Sequence, residues 1–158
     1  MRLRPGLILV VCAATMALPT AAAVGGVPVA AAATIHYFKT PSGNIVCGYS
    51  SGSRTRDLWV ACAIKSGLKP PPPRVHCTEG DPTDRFIGLS ATGRSHEQTC
   101  AGDPGVLFFE NQARVLPYGR KVTWGNGAMH CTSAFAGLTC TNKAGHGFVL
   151  SRQRARRF

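Results

Sequence analysis

Asn44-Ile45-Val46-Cys47 with Trp59-Val60-Ala61-Cys62, and Ala128-Met129-His130-Cys131 with Gly137-Leu138-Thr139-Cys140, share one design: two short runs rich in apolar and β-branched residues, each closing on a cysteine. Such runs read as neighbouring strands of a hairpin. Cysteines on adjacent strands reach bridging distance only at suitably paired positions, so the echo points to one disulfide within each hairpin.

Working outward, further strands are expected over residues 35–38, 44–49, 58–64, 106–109, 121–124, 128–132, 138–141 and 147–150. Pro41-Ser42-Gly43, residues 50–53, Gly125-Asn126-Gly127 and Gly145 punctuate them as turns. Many short strands at even spacing specify a mainly β chain, a small disulfide-stapled sandwich or barrel built from short hairpins. No amphipathic helix stands out; parts of 88–100 and 111–115 lack a period of two and are expected to hold a helical turn at most. Residues 69–74 carry four consecutive prolines, which cannot donate to a sheet ladder and read as a stiff, extended spacer within a single domain over 34–158.

The chain opens on Met1-Arg2-Leu3-Arg4, followed by an apolar run over 6–18 and then Ala21-Ala22-Ala23. This is the pattern of a secretory signal peptide over 1–23, with an alternative cleavage near 33 in the second alanine tract. Its apolar core of about 13 residues is shorter than the roughly 20 that span a bilayer, so no transmembrane segment is expected. Val11 precedes Cys12 in mid-run, which does not suit a lipid-modified cysteine. Loss of the leader removes Cys12 and leaves Cys47, Cys62, Cys77, Cys100, Cys131 and Cys140, an even set bound for an oxidising compartment, secreted or in the cell envelope. Sequence alone does not choose among the pairings of six cysteines; the sequential set, 47 with 62, 77 with 100 and 131 with 140, is the expected one. At about 3 kcal/mol for each loop, three bridges rival the net stability of a typical domain.

The whole chain has 18 Lys and Arg against 7 Asp and Glu, a formal charge of +11. Without Arg2 and Arg4, 16 basic residues remain against 7 acids, which leaves about +9. Such a surface attracts polyanions, and outside a cell these are wall polymers, anionic lipid headgroups and stray nucleic acid; a basic surface also simply keeps a protein soluble. The end of the chain, 152–158, concentrates Arg152, Arg154, Arg156 and Arg157; on a strand the even-numbered ones share one face as a basic stripe, and the alternative is a solvated tail.

Thr40-Pro41-Ser42-Gly43-Asn44-Ile45-Val46-Cys47, Cys100-Ala101-Gly102-Asp103, Leu116-Pro117-Tyr118-Gly119, and Cys140-Thr141-Asn142 leading to Gly145-His146-Gly147-Phe148-Val149-Leu150-Ser151-Arg152 resemble an uncharacterised family of small cysteine-containing proteins exported by actinobacteria. The likeness covers residues 36–152. It implies export and a cysteine-stabilised fold, and it brings no catalytic or binding residues with it.

Several chemistries lack their residues. No Gly-x-Ser-x-Gly string is present to expose a nucleophilic serine. An even cysteine set after export leaves no spare thiol for His76-Cys77 or His130-Cys131 to activate. Neither Cys-x-x-Cys nor His-x-x-x-His occurs, so no metal site and no cofactor is expected. Glu79, Asp81, Asp84, Glu97, Asp103 and Glu110 offer carboxyls for sugar hydrolysis, but Glu79, Asp81 and Asp84 sit in a Gly-Pro stretch that suits solvated or capping turns, and Glu97 has no recognisable partner. His146, between Gly145 and Gly147, and Asp103, before Pro104, are the best catalytic candidates; against this, the glycines shape a turn and Asp103 bonds its own turn. Trp59, Trp124, Tyr37, Tyr49 and Tyr118 suit either a binding platform or core packing.

Three functional classes follow. The first is a secreted, non-enzymatic domain that binds an anionic envelope polymer through its basic surface, with nucleic acid set aside. The second is a small extracellular hydrolase with a site near His146 and Asp103. The third is an inhibitor-like framework that presents a loop around 79–96 to an extracellular protein.

Overall fold

The computed structural model describes residues 33–158 apart from 53, 79 and 102–104. The expected leader over 1–23, Cys12 and Asp103 lie outside the described residues. The strands are β1 (Thr34–Lys39), β2 (Ile45–Ser51), β3 (Trp59–Ile64), β4 (Asp81–Ser90), β5 (His96–Ala101), β6 (Arg114–Val115), β7 (Lys121–Trp124), β8 (Met129–Ala134), β9 (Gly137–Asn142), β10 (Gly147–Ser151) and β11 (Arg154–Arg157). They form two sheets, ordered β5-β4-β3-β2-β1-β6 and β11-β10-β9-β8-β7. Every neighbouring pair is antiparallel except β1 with β6.

Strand alternation builds the interior. In the first sheet Phe38, Cys47, Cys62 and Ile87 stand opposite one another across β1 to β4. In the second, Val122, Cys131, Cys140 and Phe148 do the same across β7 to β10. Both rows join one hydrophobic core with Val60, Ile64, Leu89, Trp124, Met129, Leu138 and Leu150, so the sheets pack face to face as a sandwich. Each row carries a disulfide at its centre, Cys47–Cys62 and Cys131–Cys140, with Cα atoms 4.1 and 4.0 Å apart. Cys77–Cys100 is the third bridge and lies outside that core. All three are the sequential pairs expected.

The hairpin turns follow their residues. Between β1 and β2, Gly43 donates to the Thr40 carbonyl at 2.8 Å with φ +68°, a left-handed conformation that glycine adopts without the penalty of a Cβ.

Four expectations need correction. Residues 106–109 are not a strand but part of a 3₁₀ segment, Gly105–Gln112, laid on the outer face of the first sheet. Val46 and Ala63 are buried on that face, and Gly48 leaves room there for Val106, whose Cγ1 would lie 3.1 Å from a Cβ at that position. Phe109 stacks on Tyr37 with ring centroids 4.5 Å apart. Of the two stretches expected to offer a helical turn, 111–115 contributes 111–112 to this 3₁₀ segment, whereas 88–100 belongs mostly to β4 and β5, with the turn at 91–95, so the stretch 79–96 is strand for most of its length rather than a presented loop. The C-terminal end is an edge strand, β11, not a solvated tail.

Among the described residues, the buried side chains of Asn142 and Ser95 join the sheets through polar contacts. The Asn142 amide donates to the carbonyls of Ser90 at 2.9 Å and Gly93 at 2.8 Å, and its oxygen accepts from the backbone N–H of His146 at 3.0 Å. The Ser95 hydroxyl donates to the Gly147 carbonyl at 2.8 Å. Asn142 therefore ties the β4–β5 turn to the β9–β10 turn with its whole amide engaged. Asn142→Ala leaves two carbonyls and one N–H without that partner. We expect a loss of about 2–4 kcal/mol in urea unfolding, against well under half of that for a Ser42→Ala control at an exposed position.

Candidate functional site

Both ends of the sandwich carry exposed cations, Arg54, Arg56, Arg94 and Lys143 standing where β2, β4 and β9 finish, but the two ends differ in how their aromatic rings are placed. At one end β7 begins, β8 ends, β9 begins, β10 ends and β11 begins, so Lys121, Ala134, Gly137, Ser151 and Arg154 are neighbours along one sheet edge. Other parts of the chain are tied to the same end by backbone hydrogen bonds. Lys69 N–H donates to Arg152 at 2.8 Å, Gly119 N–H to Ser133 at 2.7 Å, Ser133 N–H to Arg120 at 3.0 Å and Leu116 N–H to Lys39 at 2.8 Å. Lys69, Arg120, Lys121, Arg152 and Arg154 are all exposed there. On the first-sheet side, Lys65 Nζ and Glu110 Oε1 are 2.7 Å apart, and Lys39 Nζ donates to the Glu110 carbonyl at 3.2 Å. Glu110 is thus an acid of this end and is already engaged by Lys65; the backbone of Asp81 and Asp84, at the start of β4, lies at the same end.

The same end projects an aromatic tip. Ala134 pairs with Gly137, which leaves Phe135 and Ala136 as a two-residue turn. Phe135 is 91% exposed, and its ring meets that of Tyr118 edge-on with centroids 5.7 Å apart. Gly137 holds φ +139°, and a Cβ there would lie 2.5 Å from the Leu150 carbonyl, so the hairpin is seated closely on β10.

The other end is built differently. Tyr49 and Trp124 meet between the sheets at 4.6 Å, with Phe38 and His36 packed on Tyr49 at 6.1 and 5.1 Å. Burial pushes the Tyr49 phenol above its ordinary value of 10.0, while the Arg114 guanidinium pulls it down. The predicted aromatic platform is therefore divided: Tyr49 and Trp124 pack at the core, Tyr37 lies under the 3₁₀ segment, and Tyr118 stands at the basic end.

His146 is placed by Asn142, whose backbone N–H donates to the His146 carbonyl at 2.9 Å. Among the described residues no carboxylate lies within ion-pair distance of its imidazole, and no cluster of three His, Cys, Asp or Glu suits a metal ion. Asp103 falls outside the described residues, so the pair is not tested as a unit. The C-terminal arginines separate along β11. Arg154 is at the basic end, Arg156 lies over the Phe158 ring at 6.0 Å, and Arg157 faces Glu97 at 3.7 Å. Lys69, Arg120, Lys121 and Phe135 escaped the sequence reading because their proximity comes from pairing between distant segments. Phe135 alone left a local signal, an apolar ring where a two-residue turn ordinarily carries Asn, Asp or Gly.

A protonated Tyr49 is the form that the fold favours. Its contribution is fully present below the unfolded-state value near 10 and is lost as pH rises toward and through the raised folded value. Urea midpoints of the wild type should therefore fall faster between pH 9 and about 11 than those of Tyr49→Phe, which cannot ionise.

A family model described as a family of unknown function (DUF6636) matches residues 10–158. No curated protein and no solved structure matches the chain.

Proposed function

The chain belongs to this family of unknown function, and from that premise, which carries no assigned activity, we propose that it is an exported, non-enzymatic binding domain that holds an anionic partner of the cell envelope at its basic end. The observation that carries this reading is the convergence of Lys69, Arg120, Lys121, Arg152 and Arg154, from three separated parts of the chain, on one end of the sandwich. Cations gathered on a rigid frame attract a polyanion without the ordering cost that a flexible basic tail would incur.

Export rests on the basic start, apolar run and alanine tract of residues 1–23 together with three disulfides, which persist in oxidising surroundings. Among the described residues no helix is long and apolar enough to cross a membrane. The overall positive charge supports the same reading.

The test compares two variants with the same change in net charge. Arg120→Glu/Arg152→Glu/Arg154→Glu reverses the basic end, and Arg54→Glu/Arg56→Glu/Lys143→Glu reverses exposed cations elsewhere. On a heparin column the first should lose about tenfold in affinity at low salt and much of its salt dependence, while the second stays near wild type. Equal losses would reduce the effect to net charge and remove the site.

A further inference from the structure

We infer that the β8–β9 turn is a lipid-surface anchor, with Phe135 and Tyr118 seated at the headgroup level of an anionic bilayer and the surrounding cations held against its phosphates. The inference rests on the reading that the basic end faces an anionic partner, and it names that partner's chemistry.

Phe135 carries its ring at the outermost point of a two-residue turn, with 91% of its surface in water. The core of the sandwich does not use it, and its described ring contact is Tyr118, itself 40% exposed. Both rings stand in the group formed by Arg120, Lys121, Arg152 and Arg154. A polymer that offers only charged groups would be satisfied by the cations and would leave the phenyl ring in water. A second copy of this chain docked through the same surface would bring those cations against their own counterparts. An anionic lipid layer rewards both features at once: aromatic rings settle at the boundary between headgroups and acyl chains, and each nearby Lys or Arg is drawn to the negative surface. The close approach of Gly137 to β10 fixes the backbone that carries the ring, so the turn itself needs little ordering on docking.

The experiment uses the disulfide-bonded protein after leader removal and follows co-sedimentation with vesicles of equal parts phosphatidylglycerol and phosphatidylcholine, beside vesicles of phosphatidylcholine alone. Wild-type protein should bind the anionic vesicles and not the neutral ones. Phe135→Ser should weaken that binding by about tenfold and leave heparin retention unchanged. Phe135→Trp should retain binding and shift its emission to the blue on the anionic vesicles. If Phe135→Ser binds these vesicles as tightly as wild type, or the tryptophan shows no shift, the anchor is overturned while the basic-end reading stands. Loss of heparin retention in Phe135→Ser also overturns it, because the residue would then act through the cations. If wild type binds neither vesicles nor heparin, the basic-end reading itself fails.

Discussion

A disulfide between directly opposed residues of neighbouring strands fixes register as well as distance. Because side chains alternate along a strand, a slip of one position would turn every core residue outward. Cys47 faces Cys62 and Cys131 faces Cys140, each at the centre of a row of core side chains that crosses four strands. The two bridges therefore determine which face of each sheet is apolar. The packing of Phe38 and Ile87 in one sheet, and of Val122 and Phe148 in the other, depends on that choice. Asn142 and Ser95 then hold the two sheets together near one pair of turns.

A sandwich fixed in this way is rigid where its turns emerge, and its ends can carry groups that contribute nothing to the core. The end near Tyr49 and Trp124 closes over aromatic rings, and the opposite end spreads cations and a phenyl ring into solvent. Leaving Phe135 exposed costs solubility, and clustering like charges costs some stability. The core uses neither feature, and the proposed binding role accounts for both.

Much of the fold was legible because the decisive signals are local. Each cysteine lies within its own apolar run, so hairpin pairing and the sequential disulfides could be read together. Strand β4 was not legible: Asp81, Pro82, Asp84 and Gly88 are poor strand formers, and only Ile87 and Leu89 carry the alternation that β3 captures. Residues 106–109 misled for the opposite reason, since a short apolar run does not declare its period, and the small residues of the outer face decided it. The arginines of 152–157 were visible as a stripe, but the basic end was not. It is assembled from 69, 118–121, 135 and 152–154, whose closeness exists only after the sheets have formed.

Register-fixing disulfides within hairpins build the frame on which everything else is placed. Peptide mapping of the native protein under non-reducing conditions tests this most directly. Cys47 should be linked to Cys62, Cys77 to Cys100 and Cys131 to Cys140, with no free thiol. A bridge between the two hairpins, or unpaired cysteines in the native protein, would contradict it.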